Sequence, residues 1–420
     1  MPVSVPLSDA LPYAAAAAPS TPLGPFEDSA VAWAAWTTLM GFVGLAALAS
    51  VAAGPAARRI GPAALAAVTA RLSRAAVVLG VLAVPAVLTD LAHGASPSGG
   101  YDYTAAWNAL YDGSNAGRLS GLEVTLVLAG AVLLAPLTVR TVAAGPAGRW
   151  LLAAGLGAGT VALGTTKFPD AAPDDWGRTV FETLMWMLHL VGGAVWLGGL
   201  VGLLLLALPG AVAPADRGAF WAPAIRRFSA AAMACVAVIA LSGLFLYWEH
   251  VDGLSQLVST MYGRVLGVKI LIFGTLMLLG AFNQFWLHPR VDALRAAGDR
   301  RPLRVLLVRT FPGVVAAESV LGLALLFVAP FLHGSARNQA YQAHLAEHSA
   351  LDPDNLPRLA AKEVSASTWV WGTAETVAVI AVMVAGYLIS GRLARRRAAA
   401  HANTAATAAA TAEPGDLVGA

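Results

Sequence analysis

Nine apolar runs constrain this chain more than any other feature: 29–53, 72–92, 119–139, 150–166, 179–208, 228–248, 263–287, 310–333 and 368–390. A helix crosses a bilayer with roughly 20 mostly apolar residues. Inside lipid every backbone N–H and C=O must be satisfied within its own segment, so the runs read as helices. A membrane barrel would need short alternating segments, and none is present. The expected fold class is all-α, a polytopic transmembrane bundle of about nine helices with the lipid bilayer as its first partner. The run 150–166 is the shortest of the nine.

Basic residues give the orientation. With the N-terminus outside, the segments 54–71, 140–149, 209–227, 288–309 and 391–420, together with Arg74, face the cytoplasm and hold 19 of the 27 Lys and Arg. That asymmetry favours N-out, C-in in the cytoplasmic (inner) membrane. The sequence pI of about 9.2 therefore reports loop arginines, not a nucleic-acid surface, which would gather charge and aromatics on one soluble face. No Lys or Arg precedes Arg58, so the first span is expected to insert as an anchor without a cleaved signal peptide. The expected organisation is an external tail (1–28), a four-helix membrane region (29–178), a second four-helix membrane domain (179–333), an external loop (334–367), a ninth helix (368–390) and a disordered cytoplasmic tail (391–420).

A single cysteine, Cys235, excludes an internal disulfide and any paired-thiolate metal site. No phosphate-binding glycine loop is present, so ATP is not expected as a partner, and no catalytic constellation stands out.

Histidine is distributed unevenly. His93, His250 and His333 stand at the outer ends of three spans, and His344 and His348 follow four residues apart in the external loop. Neutral imidazole is a common metal ligand, although helix-end histidines also suit the interface for their amphipathic rings. His189 lies near mid-span, where an ionisable side chain usually faces a bundle interior. Glu182, Met185, Trp186 and Trp196 share its helical face. Carboxylate, thioether and imidazole at successive turns make a descending ligand series, and the last two favour copper over hard ions. The same residues also suit packing, with His189 bonded to a neighbouring helix.

HLVGGAVWLGGL at 189–200, AIRRFS at 224–229, LSGLFLYWEHVDGLSQLVSTMYGRVLGVKILIFGTLMLLGAFNQFWLHPR at 241–290 and ESVLGLALL at 318–326 together resemble the CopD copper-resistance membrane protein family. The resemblance covers roughly 181–330. It implies a copper-handling inner-membrane protein, often served by a periplasmic CopC-like copper-binding partner. It carries over His189, Trp196, Arg227, Tyr262, Arg264, Lys269, Asn283 and Glu318. The chain departs from the pattern by lacking a fused CopC-like domain and by adding the 334–367 loop and a ninth helix. The expected function is copper transport or delivery. The alternatives are a haem-binding redox protein, with axial histidines on facing helices, and a factor that delivers copper to a membrane oxidase.

Overall fold

The computed structural model describes residues 26–94, 100–169, 171–287, 290, 305, 312–332, 334–348, 356–357, 359–360 and 362–411. Among them every regular element is a helix. The principal ones are α1 (Phe26–Leu48), α2 (Pro62–Gly94), α3 (Tyr103–Ala109), α4 (Asn115–Leu134), α5 (Gly148–Thr165) and α6 (Trp176–Ala207). They are followed by α7 (Arg217–His250), α8 (Met261–Phe282), α9 (Pro312–Val328), α10 (Ala336–His348) and α11 (Ala366–Thr411).

Among the described residues, seven helices are long and apolar enough to cross a membrane: Ser29–Arg58, Pro62–His93, Gly117–Thr138, Trp176–Ala207, Pro214–His250, Met261–Leu287 and Ala366–Leu393. The all-α polytopic fold is thus present, with seven full spans among the described residues where about nine helices were expected. The run at 150–166 becomes α5, whose 18 residues extend about 27 Å and include Arg149 in the first turn. The run at 310–333 becomes α9 and a 3-10 turn (Ala329–Phe331), with α10 following after a 43° bend; that bent pair is the only further candidate span among the described residues. The tail expected to be disordered from 391 is helical as far as Thr411, because alanine has the highest helix propensity of any residue.

Local chemistry sets the helix ends. The side chains of Asp102, Ser114 and Asp175 accept from the amides of Ala105 (2.8 Å), Gly117 (3.0 Å) and Arg178 (3.0 Å), and so start α3, α4 and α6. Past Leu48, Pro55 has no amide to offer Val51. The ladder widens there to a π turn over Ala49–Ala53, closed by the Gly54 amide on the Ala49 carbonyl.

Contacts divide the chain into two units: Met1–Leu276 with Arg300–Val364, and Met277–Asp299 with Ser365–Ala420. In the first, α1 is the central post, and its Phe42, Val43, Leu45 and Leu48 are almost fully buried. It packs against α2 and α6, while α6 also packs against α7. Small residues on α6 serve both neighbours. A Cβ on Gly198 would stand 2.7 Å from Gly44 Cα on α1, and one on Gly199 would stand 2.4 Å from the Phe228 ring on α7. The Gly-Gly of the WLGGL stretch therefore lets two helices approach α6 from opposite sides. In the second unit the π turn Asn283–Leu287 meets α11, with Phe285 5.6 Å from Tyr387.

Candidate functional site along α6 and α7

His189 is held by α7. Its Nδ1 lies 3.1 Å from Ser242 Oγ. That hydroxyl has one proton and directs it to the Val238 carbonyl at 2.6 Å, so toward the imidazole it accepts. Nδ1 therefore carries the hydrogen, and the Nε2 lone pair is left for a ligand. Gly243 makes room for the ring: a Cβ there would sit 3.5 Å from His189 Cε1. Lys269, on α8, lies within electrostatic reach of His189.

His250 ends the same helix and has the same tautomer, because its Nδ1 donates to the Leu246 carbonyl at 2.8 Å. Ser242 and His250 are eight positions apart on α7, which is about 12 Å along the axis. Trp186 occupies the interval, with its ring 6.5 Å from His189 and 6.4 Å from His250. The His250 ring stacks on buried Tyr262, 5.8 Å away and tilted only 7°. Two imidazoles with open Nε2 positions thus stand at two levels of one helix pair, with an indole between them.

Charged groups crowd the His250 end. Arg178 pairs with Glu182 and reaches Glu249 at 3.9 Å, so that the two carboxyl groups share one guanidinium. Lys167 lies 4.2 Å from the Trp186 ring centroid, a cation–π contact. Burial holds its amine below the ordinary lysine range.

The segment after α9 closes over this end. Lys362 Nζ donates to the carbonyls of Trp248 (3.0 Å) and Val251 (3.4 Å) and pairs with Asp252 at 3.0 Å. Arg337 pairs with Asp252 at 2.9 Å. Arg178 Nη1 donates to the Lys362 carbonyl at 2.7 Å, and the Tyr262 amide donates to Gln339 Oε1 at 2.9 Å. Sequence reading left out Glu249, Ser242, Lys167 and Lys362. For Glu249 a signal existed in its position beside His250; for the others, only the fold brings the partners together.

The remaining candidates are placed as follows. Met185 is half-buried on α6, one turn before His189. Trp196 meets Phe273 edge-on at 5.9 Å. Gly263 and Arg264, in the first turn of α8, pack on the hairpin that precedes it: a Cβ on Gly263 would fall 1.9 Å from the Gln256 carbonyl oxygen, and Arg264 Nε donates to the Val258 carbonyl at 2.8 Å. Arg227 is exposed on α7, and Glu318 is half-buried on α9. Asn283 is buried at the start of the π turn in the second unit. His93 stands edge-on to Tyr101 at 5.2 Å, and the Tyr101 hydroxyl donates to Glu27. His93 thus packs on Tyr101 and His250 on Trp186 and Tyr262, and His333 lies outside the described residues. Among the described residues, no three of His, Cys, Asp and Glu are gathered tightly enough to hold a metal ion. What faces His189 across α7 is a serine, not the second axial histidine that a central haem would need.

Residues 222–332 match the family model CopD, copper resistance protein D. Copper transport protein CutJ of Bacillus subtilis (strain 168) is 36% identical over 100 residues, which are 24% of this chain and 18% of that protein. The chain thus covers less than a fifth of this relative's length. No solved structure matches. The family match takes in nearly all of α7, the hairpin, α8 and α9, and so supplies Ser242, His250, Tyr262 and Lys269; Glu182, Met185 and His189 precede it. This protein is a polytopic helical membrane protein in which residues 222–332 match the CopD family model.

Proposed function

We propose that this chain transports or delivers copper at the cytoplasmic membrane, taking the ion from the end of the bundle where His250 lies and passing it along α6 and α7 to His189. The observation that carries this reading is the CopD match over the helices that supply Ser242, His250 and Lys269. The geometry supports it with two open Nε2 positions, which a metal ion can occupy in turn. Each position is weak alone, and a transported ion must leave as readily as it enters. Met185 adds a thioether on the same helical face, and thioether with imidazole favours copper over hard ions. Glu182 and Glu249 bring two carboxyl groups to the entrance, beside the cations Lys167 and Arg178. A CopC-like donor outside the membrane would hand copper to that entrance.

The test compares cellular copper in strains expressing wild type, His189→Ala and His189→Met at matched membrane levels, with an empty-vector strain as baseline. Wild type should change the copper content, alanine should return it to baseline, and methionine should retain part of the change. No difference between wild type and baseline would refute the copper function. Equal accumulation in all three proteins would remove His189 from the path.

A further inference from the structure

The loop that closes over the bundle carries a histidine pair that the path along α6 and α7 does not use. His344 and His348 are both exposed and lie one turn apart on α10. Their ring centroids are 4.4 Å apart with the planes 32° from parallel. His348 Nδ1 donates to the His344 carbonyl at 3.0 Å, so its Nε2 carries the lone pair. The exposed carboxylate of Glu347 adjoins the pair on the same helix.

We propose that His344 and His348 form a two-imidazole binding site for a divalent late-transition-metal cation, Cu(II) foremost. A metal–nitrogen bond is about 2.0 Å, which puts a ligating ring's centroid roughly 3.2 Å from the ion; two such rings at a right angle then have centroids about 4.5 Å apart. The pair is already close to that spacing, so little rearrangement is needed. Nitrogen ligands with open positions select copper(II) by the Irving–Williams order, and calcium and magnesium prefer oxygen. The carbonyl partner of His348 sets its tautomer in the way that ligating histidines are oriented in metal sites.

The helix itself is fixed. Arg337 is tied to Asp252, Gln339 to the Tyr262 amide, and Asn338 Oδ1 to the Leu359 amide at 2.9 Å. From Gln339 to His344 is five residues, about 7.5 Å along the axis. The pair therefore stands close to the hairpin whose Tyr262 stacks on His250. With two protein ligands and the rest of the coordination sphere open to water, bound metal exchanges readily. As a loading station for His250 the site rests on the copper-transport reading; the binding itself does not.

The experiment uses the purified full-length chain in detergent. Cu(II) is titrated in, bound metal is counted after desalting, and the paramagnetic resonance spectrum reports nitrogen coordination. Because both side chains are exposed, His344→Ala, His348→Ala and the double variant should fold as wild type does, with near-unchanged circular dichroism as the check. The double variant should lose one Cu(II) per chain together with its two-nitrogen signal. Each single variant should weaken that ion by about 100-fold, the chelate gain of joining two ligands on one scaffold. His189→Ala should keep this ion whatever happens to transport, so a failed transport reading and a failed binding site give different results. A folded double variant that binds as many Cu(II) ions, with the same spectrum, would overturn the proposal.

Discussion

Gly44→Ala tests the arrangement that places His189. A Cβ on Gly44 of α1 would lie 2.1 Å from the Ala194 carbonyl oxygen and 2.6 Å from Gly198 Cα, both backbone atoms of α6. An unstrained carbon–oxygen contact needs roughly 3.3 Å, so the shortfall is about 1.2 Å. Side-chain rotation cannot relieve it, and α1 and α6 must part by most of that distance. Overpacking typically costs about 1–3 kcal/mol; with backbone on both sides, the top of that range is expected, near 3 kcal/mol. Ala194 is five residues from His189, so the displacement should also reach the ring facing Ser242 and lower copper accumulation.

Gly157 on α5 and Gly274 on α8 are the controls, because a Cβ at either meets nothing within 4 Å. Alanine there should be neutral or stabilising by up to about 1 kcal/mol, the helix-propensity difference. The assay is thermal unfolding in detergent, followed by tryptophan fluorescence and by the monodisperse fraction that survives heating. Gly44→Ala melting together with Gly157→Ala would refute the close α1–α6 contact.

Lys362→Met removes the clamp on Trp248, Val251 and Asp252. Its ion pair is partly exposed, so stability should fall by no more than about 1 kcal/mol, while hydrogen exchange of the Leu359 amide, which is bonded to Asn338, speeds up; an unchanged exchange rate would argue against the clamp. Burial holds the Lys167 amine below the ordinary lysine value of about 10.5, so the unfolded chain binds more protons in that alkaline window. Stability should therefore rise with pH as 10.5 is approached from below, and Lys167→Met should flatten that rise in melting curves taken across the window. Reporter fusions after Arg397 and within 334–367 should read cytoplasmic and external respectively, and a shared compartment would reject the N-out arrangement.

Hydropathy and composition were enough to establish a helical membrane bundle, because lipid imposes its condition on each segment separately and roughly 20 apolar residues satisfy it alone. What a local pattern cannot state is which of several equally apolar helices become neighbours. Ser242 looks like any other serine of an apolar run until α7 lies beside α6 and its hydroxyl meets His189. Lys362 reads as a loop cation until the chain folds back over Trp248 and Asp252. The α5 segment is apolar enough to suggest a span, yet its helix ends after 18 residues. The order of residues decided that this chain lives in a membrane and resembles a copper family; only the tertiary packing brought together a histidine on one helix, its serine on the next and the closing loop, since those contacts join residues that no periodicity relates.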